Sequence, residues 1–203
     1  IGVDQDGGSD DTIFRCTTCS IGFKGSEDLG NGLKAIFKID FQFDTMNRNR
    51  VSSGTITTSG GSTFSNATGS GSITDRDQWV GLAGGFGKIQ VGTISTGYKS
   101  HGAMIDPLYR TALQGRDRGL QSRLHSGAGE ELQGRATNTA RWDSANYNGV
   151  KLVAHYTLDS DETDGEDENP YGIGASYSND NMLVFADYLD NGQGGAGERD
   201  AWK

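Results

Sequence analysis

The residues with types and spacing fit for chemistry are few and separate. Cys16-Thr17-Thr18-Cys19 has the CxxC spacing of redox and zinc sites. There is no second pair, and His101, His125 and His155 are scattered, so no tetrahedral metal centre is expected. In an oxidising compartment a local disulfide between Cys16 and Cys19 is the expected state. Side chains three apart in a regular strand point to opposite faces, so that bond implies a distortion. Asp159, Asp161, Glu162, Asp164, Glu166, Asp167 and Glu168 offer oxygen ligands to a hard cation. They lack the order of a calcium loop and read as a hydrated surface segment. His125 and Ser126 adjoin, but nothing positions a carboxylate beside them, so no catalytic set and no cofactor is expected.

The remaining candidates are charges, and their meaning depends on the elements that carry them. The chain has 203 residues, a formal charge of -9 and only 33% hydrophobic residues, with 32 Gly and 2 Pro. Its mean hydropathy is -0.58. So few apolar residues make a thin core for a solid globule of this length. The strands nevertheless place Trp, Tyr, Phe and Ile on one face, unlike a disordered chain. A closed sheet that is apolar outside and wet inside accommodates both facts. An acidic chain without a basic run is unsuited to nucleic acid. No apolar run is long enough for a membrane helix, which says nothing against membrane strands.

Leu33 to Asp44 is the clearest strand. Leu33, Ala35, Phe37, Ile39, Phe41 and Phe43 share one face, and Lys34, Ile36, Lys38, Asp40, Gln42 and Asp44 the other. Further strands are expected at Ile1–Val3, Ile13–Lys24, Arg76–Leu82, Phe86–Gly92, Arg135–Asp143, Val150–Leu158, Tyr171–Ser178 and Met182–Asp190. Long polar connections (4–11, 45–73, 93–134, 159–170, 191–199) alternate with short turns (25–32, 83–85, 144–149, 179–181). That rhythm is the mark of an up-and-down antiparallel transmembrane β-barrel, whereas a Greek-key sandwich has no reason to keep it. Residues 93–134 show no strand alternation. An irregular insertion of that length is normally functional, and it is expected to fold into the barrel mouth and narrow it.

Four stretches resemble the general diffusion porins of Gram-negative outer membranes. Ile21-Gly22-Phe23-Lys24-Gly25-Ser26-Glu27-Asp28-Leu29-Gly30-Asn31-Gly32-Leu33-Lys34-Ala35 is similar to that family's second turn and third strand. Arg76–Leu82 with Gly84–Gly92 resembles its fourth and fifth strands. Asp106-Pro107-Leu108-Tyr109 falls where the inward-folded third loop belongs, and Asn138–Gly149 resembles the sixth strand and its turn. The resemblance implies a homotrimer of barrels with roughly sixteen strands each. About ten of those strands fall within residues 1–203, which form a single partial barrel domain. It also implies passive diffusion of small hydrophilic solutes and ions, with outer-membrane lipid and lipopolysaccharide as surroundings.

In such channels charges on the third loop face opposite charges on the wall, and a solute crosses the field between them. The resemblance assigns Arg76 and Arg141 to the basic wall. Parity sets Arg76 with Gln78 and away from Trp79, sets Arg141 with Arg135 and away from Trp142, and turns Lys34, Lys38 and Lys88 inward. Trp79, Trp142, Tyr156, Tyr171 and Tyr177 are expected to face outward, as interface aromatics. Ser20 stands where the family often has arginine. The loop carries the acids Asp106, Asp117, Glu130 and Glu131, but also Lys99, Arg110, Arg116, Arg118 and Arg123. A constriction less cation-selective than an acidic loop would give is therefore expected. The competing readings are a secreted all-β adhesin or binding module and a barrel lipase.

Overall fold

The computed structural model describes residues 19–42, 74–110, 134–158, 169–190 and 200–203, with the backbone of strand segments 2–5, 12–15, 52–57 and 63–68. The first elements are β1 (Gly2–Gln5), β2 (Thr12–Arg15), β3 (Ser20–Gly30) and β4 (Leu33–Gln42). Next come β5 (Ser52–Thr57), β6 (Thr63–Thr68), β7 (Thr74–Gly84), β8 (Gly87–Ser95) and the helix α1 (Gly97–Ile105). The chain continues through β9 (Arg135–Asp143), β10 (Val150–Thr157), β11 (Tyr171–Ser178), β12 (Leu183–Asp190) and β13 (Asp200–Trp202). One antiparallel sheet of nine strands runs β13-β12-β11-β10-β9-β8-β7-β4-β3, with β3 and β13 at its open edges. Each strand in it pairs with its chain neighbour except across β4–β7, where β5 and β6 form a hairpin of their own. This is the meander of an up-and-down barrel wall.

The short turns all fall at one end of the sheet, and the first two are tighter than expected. β3 continues to Gly30, so most of residues 25–32 is strand, and only Asn31 and Gly32 turn the chain, at φ 53 and 76. Their left-handed backbone matches the twist of a two-residue hairpin. Ala83 and Gly84 likewise belong to β7, and the turn is Gly85–Phe86. The segment expected as one strand over Ile13–Lys24 is two, β2 pairing with β1 and β3 with β4. The expected loop 45–73 contains the β5–β6 hairpin. Residues 93–134 are not without regular structure: β8 runs on to Ser95, and α1 follows.

The sheet has an apolar face and a polar face. Directly paired residues share a face, so Phe37, Val80, Val91, Ala140, Tyr156 and Tyr171 form one row across six strands. Val80, Val91, Tyr156 and Ile173 are all exposed there. Trp142, Tyr156, Tyr171 and Tyr177 lie on this face. Trp79 does not. It pairs with Lys38 and Gly92, on the face of Lys88 and Arg141. The cause is a bulge: Gln78 pairs with Ile39 but Asp75 with Phe41, so Arg76 and Asp77 together oppose Asp40. The extra residue reverses the alternation and lets both Arg76 and Asp77 reach the polar face.

Among the described residues the buried apolar side chains are Ile94, Tyr98, Val153 and Leu189. Tyr98 and Leu189 pack together with Ala201 against them. This small core lies where α1 meets the wall. Most exposed apolar side chains of the strands lie on the opposite, apolar face, as a membrane strand requires.

Candidate functional site

The polar face is organised by aspartates. Arg76 Nε lies 3.2 Å from Asp40, both side chains under 10% exposed, and its other arm donates to Gln42 at 2.6 Å. Asp77 accepts from Lys38 at 2.8 Å, from Arg135 Nε at 2.7 Å and from the Ser95 hydroxyl at 2.8 Å. Arg141 forms a fork with Asp143 at 2.6 and 2.9 Å, while Lys88 reaches the same carboxylate at 3.4 Å. Such two-pronged pairing fixes a guanidinium in orientation as well as position. Lys38, Arg76, Lys88, Arg135 and Arg141 are thus drawn together on the polar face, across β4, β7, β8 and β9. Lys34, near the turn end of β4, is exposed on the same face.

Helix α1 is fastened onto this wall. Thr96 caps it by accepting from the Lys99 amide at 3.3 Å, and its own amide donates to the Gly134 carbonyl at 3.0 Å. Arg141 donates to the Ser95 carbonyl and, at 3.1 Å, to the Ser100 hydroxyl. His101 Nδ1 meets both oxygens of Asp187 at 2.9 and 3.1 Å, and its ring stacks on Phe185 with centroids 5.3 Å apart. Gly97 is needed for the approach, because a Cβ there would sit 2.6 Å from Val153 Cγ1. Burial, then the nearby Asp187 carboxylate, push the Tyr98 phenol above the ordinary tyrosine range.

Of the four loop acids, Asp106 is the one within the described residues. Asp106 is buried just past α1 and accepts from the Leu108 amide at 2.9 Å, shaping the turn that follows the helix. Asp117, Glu130 and Glu131 lie outside the described residues, as does Cys16. Cys19 is disulfide-bonded. Asp40, Asp77, Asp143 and Asp187, which hold these bases and His101, are the residues of the network that the sequence reading left unassigned. Asp143 shares the parity of Arg141, so a pairing signal was present. Asp77 was hidden by the bulge, and Asp187 by the distance in sequence to His101.

The profile of the Gram-negative porin family matches residues 2–203. The chain belongs to that family. It is an outer-membrane protein. It is 28% identical over 173 residues to the major outer membrane protein P.IB of Neisseria gonorrhoeae, covering 83% of this chain and 39% of that protein. The porin chain therefore spans well under half the length of this curated relative. The anion-selective porin from Comamonas acidovorans superposes with a TM-score of 0.65 at 19% identity, covering 98% of this chain and 57% of that one. A porin of Rh. blastica superposes at 0.54 and 18% identity, covering 94% and 59%. Both share the β-barrel fold.

Proposed function

We propose that the complete protein is a passive channel for small hydrophilic solutes and ions, without enzymatic activity and without a cofactor. The observation that carries this reading is the pairing of faces. An exposed apolar face backs a charged face, and α1, within segment 93–134, packs onto the charged one. In a closed barrel that face lines the water-filled lumen, segment 93–134 forms the constriction, and solutes pass between α1 and the bases of the wall. Outer-membrane lipid and lipopolysaccharide surround the barrel, and other copies of the same chain complete a trimer. Cys16, the other of the two cysteines in this sequence, is proposed as the partner of Cys19, with a two-hydrogen mass gain on reduction as its check.

The full-length protein added to a planar bilayer in potassium chloride is expected to produce discrete, ohmic conductance steps. A protein that binds the bilayer and produces none sinks the channel reading, and solubility as a monomer without detergent favours the adhesin.

A further inference from the structure

The bulge at Arg76–Asp77 turns Trp79 onto the polar face, and the charges around it are not balanced. Along one row of the sheet Lys24 pairs with Lys38, and Lys38 with Trp79. Like charges directly opposite each other in a sheet are destabilising. Asp77 lies 2.8 Å from Lys38, while Lys24 is exposed and has no ion-pair partner among the described residues. On the turn side, Lys88 Nζ lies 6.0 Å from the centroid of the Trp79 ring, its side chain 42% exposed. The wall is backbone alone at two positions next to the Trp79 indole. Its cross-strand neighbour Gly92 and its next neighbour on the same face, Gly81, carry no side chain, and a Cβ at either would run into the backbone of the adjacent strand. The result is a half-buried aromatic surface with ammonium groups on two sides, on the side of the charge network nearer the short turns.

We propose that Trp79, Lys24, Lys38 and Lys88 form a solute-binding subsite for aromatic carboxylates. The aromatic ring of the solute stacks against the indole, and its carboxylate replaces water between the lysines. Adjacent strands lie about 4.8 Å apart, so a carboxylate held by Lys38 leaves its ring within reach of Trp79. Stacking on an aromatic platform strengthens binding beyond what the buried area gives, and the charge selects anions over neutral rings. Transient binding of this kind raises occupancy without closing the pore, provided it stays weak enough for release.

This inference rests on the channel reading, and the test separates the two. The full-length protein is reconstituted in a planar bilayer in potassium chloride, and 2-naphthoate or its saturated counterpart, decahydro-2-naphthoate, is added on the short-turn side. Half-blocking concentrations are read against each variant's own open-channel current. The wild-type protein is expected to be blocked by the aromatic acid at an about tenfold lower concentration than by the saturated one. Trp79→Ala abolishes that difference, Trp79→Phe retains part of it, and Lys24→Gln raises both concentrations alike, about threefold. Equal block of the wild type by the two acids overturns the subsite while leaving the channel standing. So does an aromatic preference that survives Trp79→Ala. Absence of any conductance overturns the channel and the subsite together.

Discussion

Arg76→Ala would leave Asp40, 5% exposed, with the Lys38 ammonium, 3.8 Å away and already bonded to Asp77, as its remaining cation. Breaking a buried pair from one side costs about 3 kcal/mol or more, whereas replacing both partners by apolar groups of similar volume is often neutral. Arg76→Ala is therefore expected to lower the urea midpoint of the refolded barrel markedly, and Arg76→Met with Asp40→Leu to restore most of it. Equal losses in the single and double variants would mean that the pair is not what holds the bulge. Arg76 and Arg141 were legible because the stretches around them resemble a known family. The parity argument offered beside it for Arg76 was faulty, since counting by twos from Arg76 crosses the bulge and sets Gln78, which pairs with Ile39 on the apolar face, on the polar one. Alternation carries information only between irregularities, and nothing in Asp75-Arg76-Asp77-Gln78 announces the bulge. For β9 the same counting succeeds from Thr139 to Asp143, where pairing with β8 is regular.

At the scale of elements, the strands and their rhythm could be read directly, because a wall wet on one side and apolar on the other must alternate. The helix could not. Gly97–Ile105 holds two glycines and no acid in its first turn, so its local preference for helix is poor. What fixes it is the Thr96 cap and the wall it rests on, contacts that join residues far apart in the chain. Two consequences follow from that dependence. His101→Ala removes a hydrogen bond to a buried carboxylate, worth roughly 1.5–3 kcal/mol. The variant is expected to give noisier current and faster passage of larger sugars in liposome swelling, and unchanged noise and size limit would show that α1 is held by other contacts. The second concerns Tyr98. Its raised pKa means the docked helix prefers the neutral phenol. Docking is then at full strength below the ordinary tyrosine value near 10 and is lost as pH climbs through the raised value. Noise that grows above about pH 10 in the wild type but not in Tyr98→Phe is the expected signature.

For the whole molecule the question is which charge an ion feels. The chain is acidic, at -9, yet the polar face is not. Asp77 is shared by Lys38 and Arg135, and Asp143 by Lys88 and Arg141. Lys24, Lys34 and Lys151 on the same face have no ion-pair partner among the described residues. Seven of the 27 acids fall instead in the run Asp159–Glu168, between β10 and β11 in the sequence. Screening decides between the two populations. At 1 M salt the Debye length is about 3 Å, so only charges beside the ion's path act, and these are the lysines and arginines of the wall. At 0.01 M it is about 30 Å, and the acidic connections reach the mouth. A tenfold potassium chloride gradient centred near 1 M is therefore expected to give a reversal potential of anionic sign, a fraction of the ideal ~59 mV. Centred near 0.01 M, the same gradient should give a smaller anionic value. Lys24→Gln with Lys151→Gln should reduce the high-salt value and leave the direction of its salt dependence intact. A cationic reversal potential near 1 M would mean that the wall's positive charge is outweighed at the narrowest point, placing the deciding acids in segment 93–134.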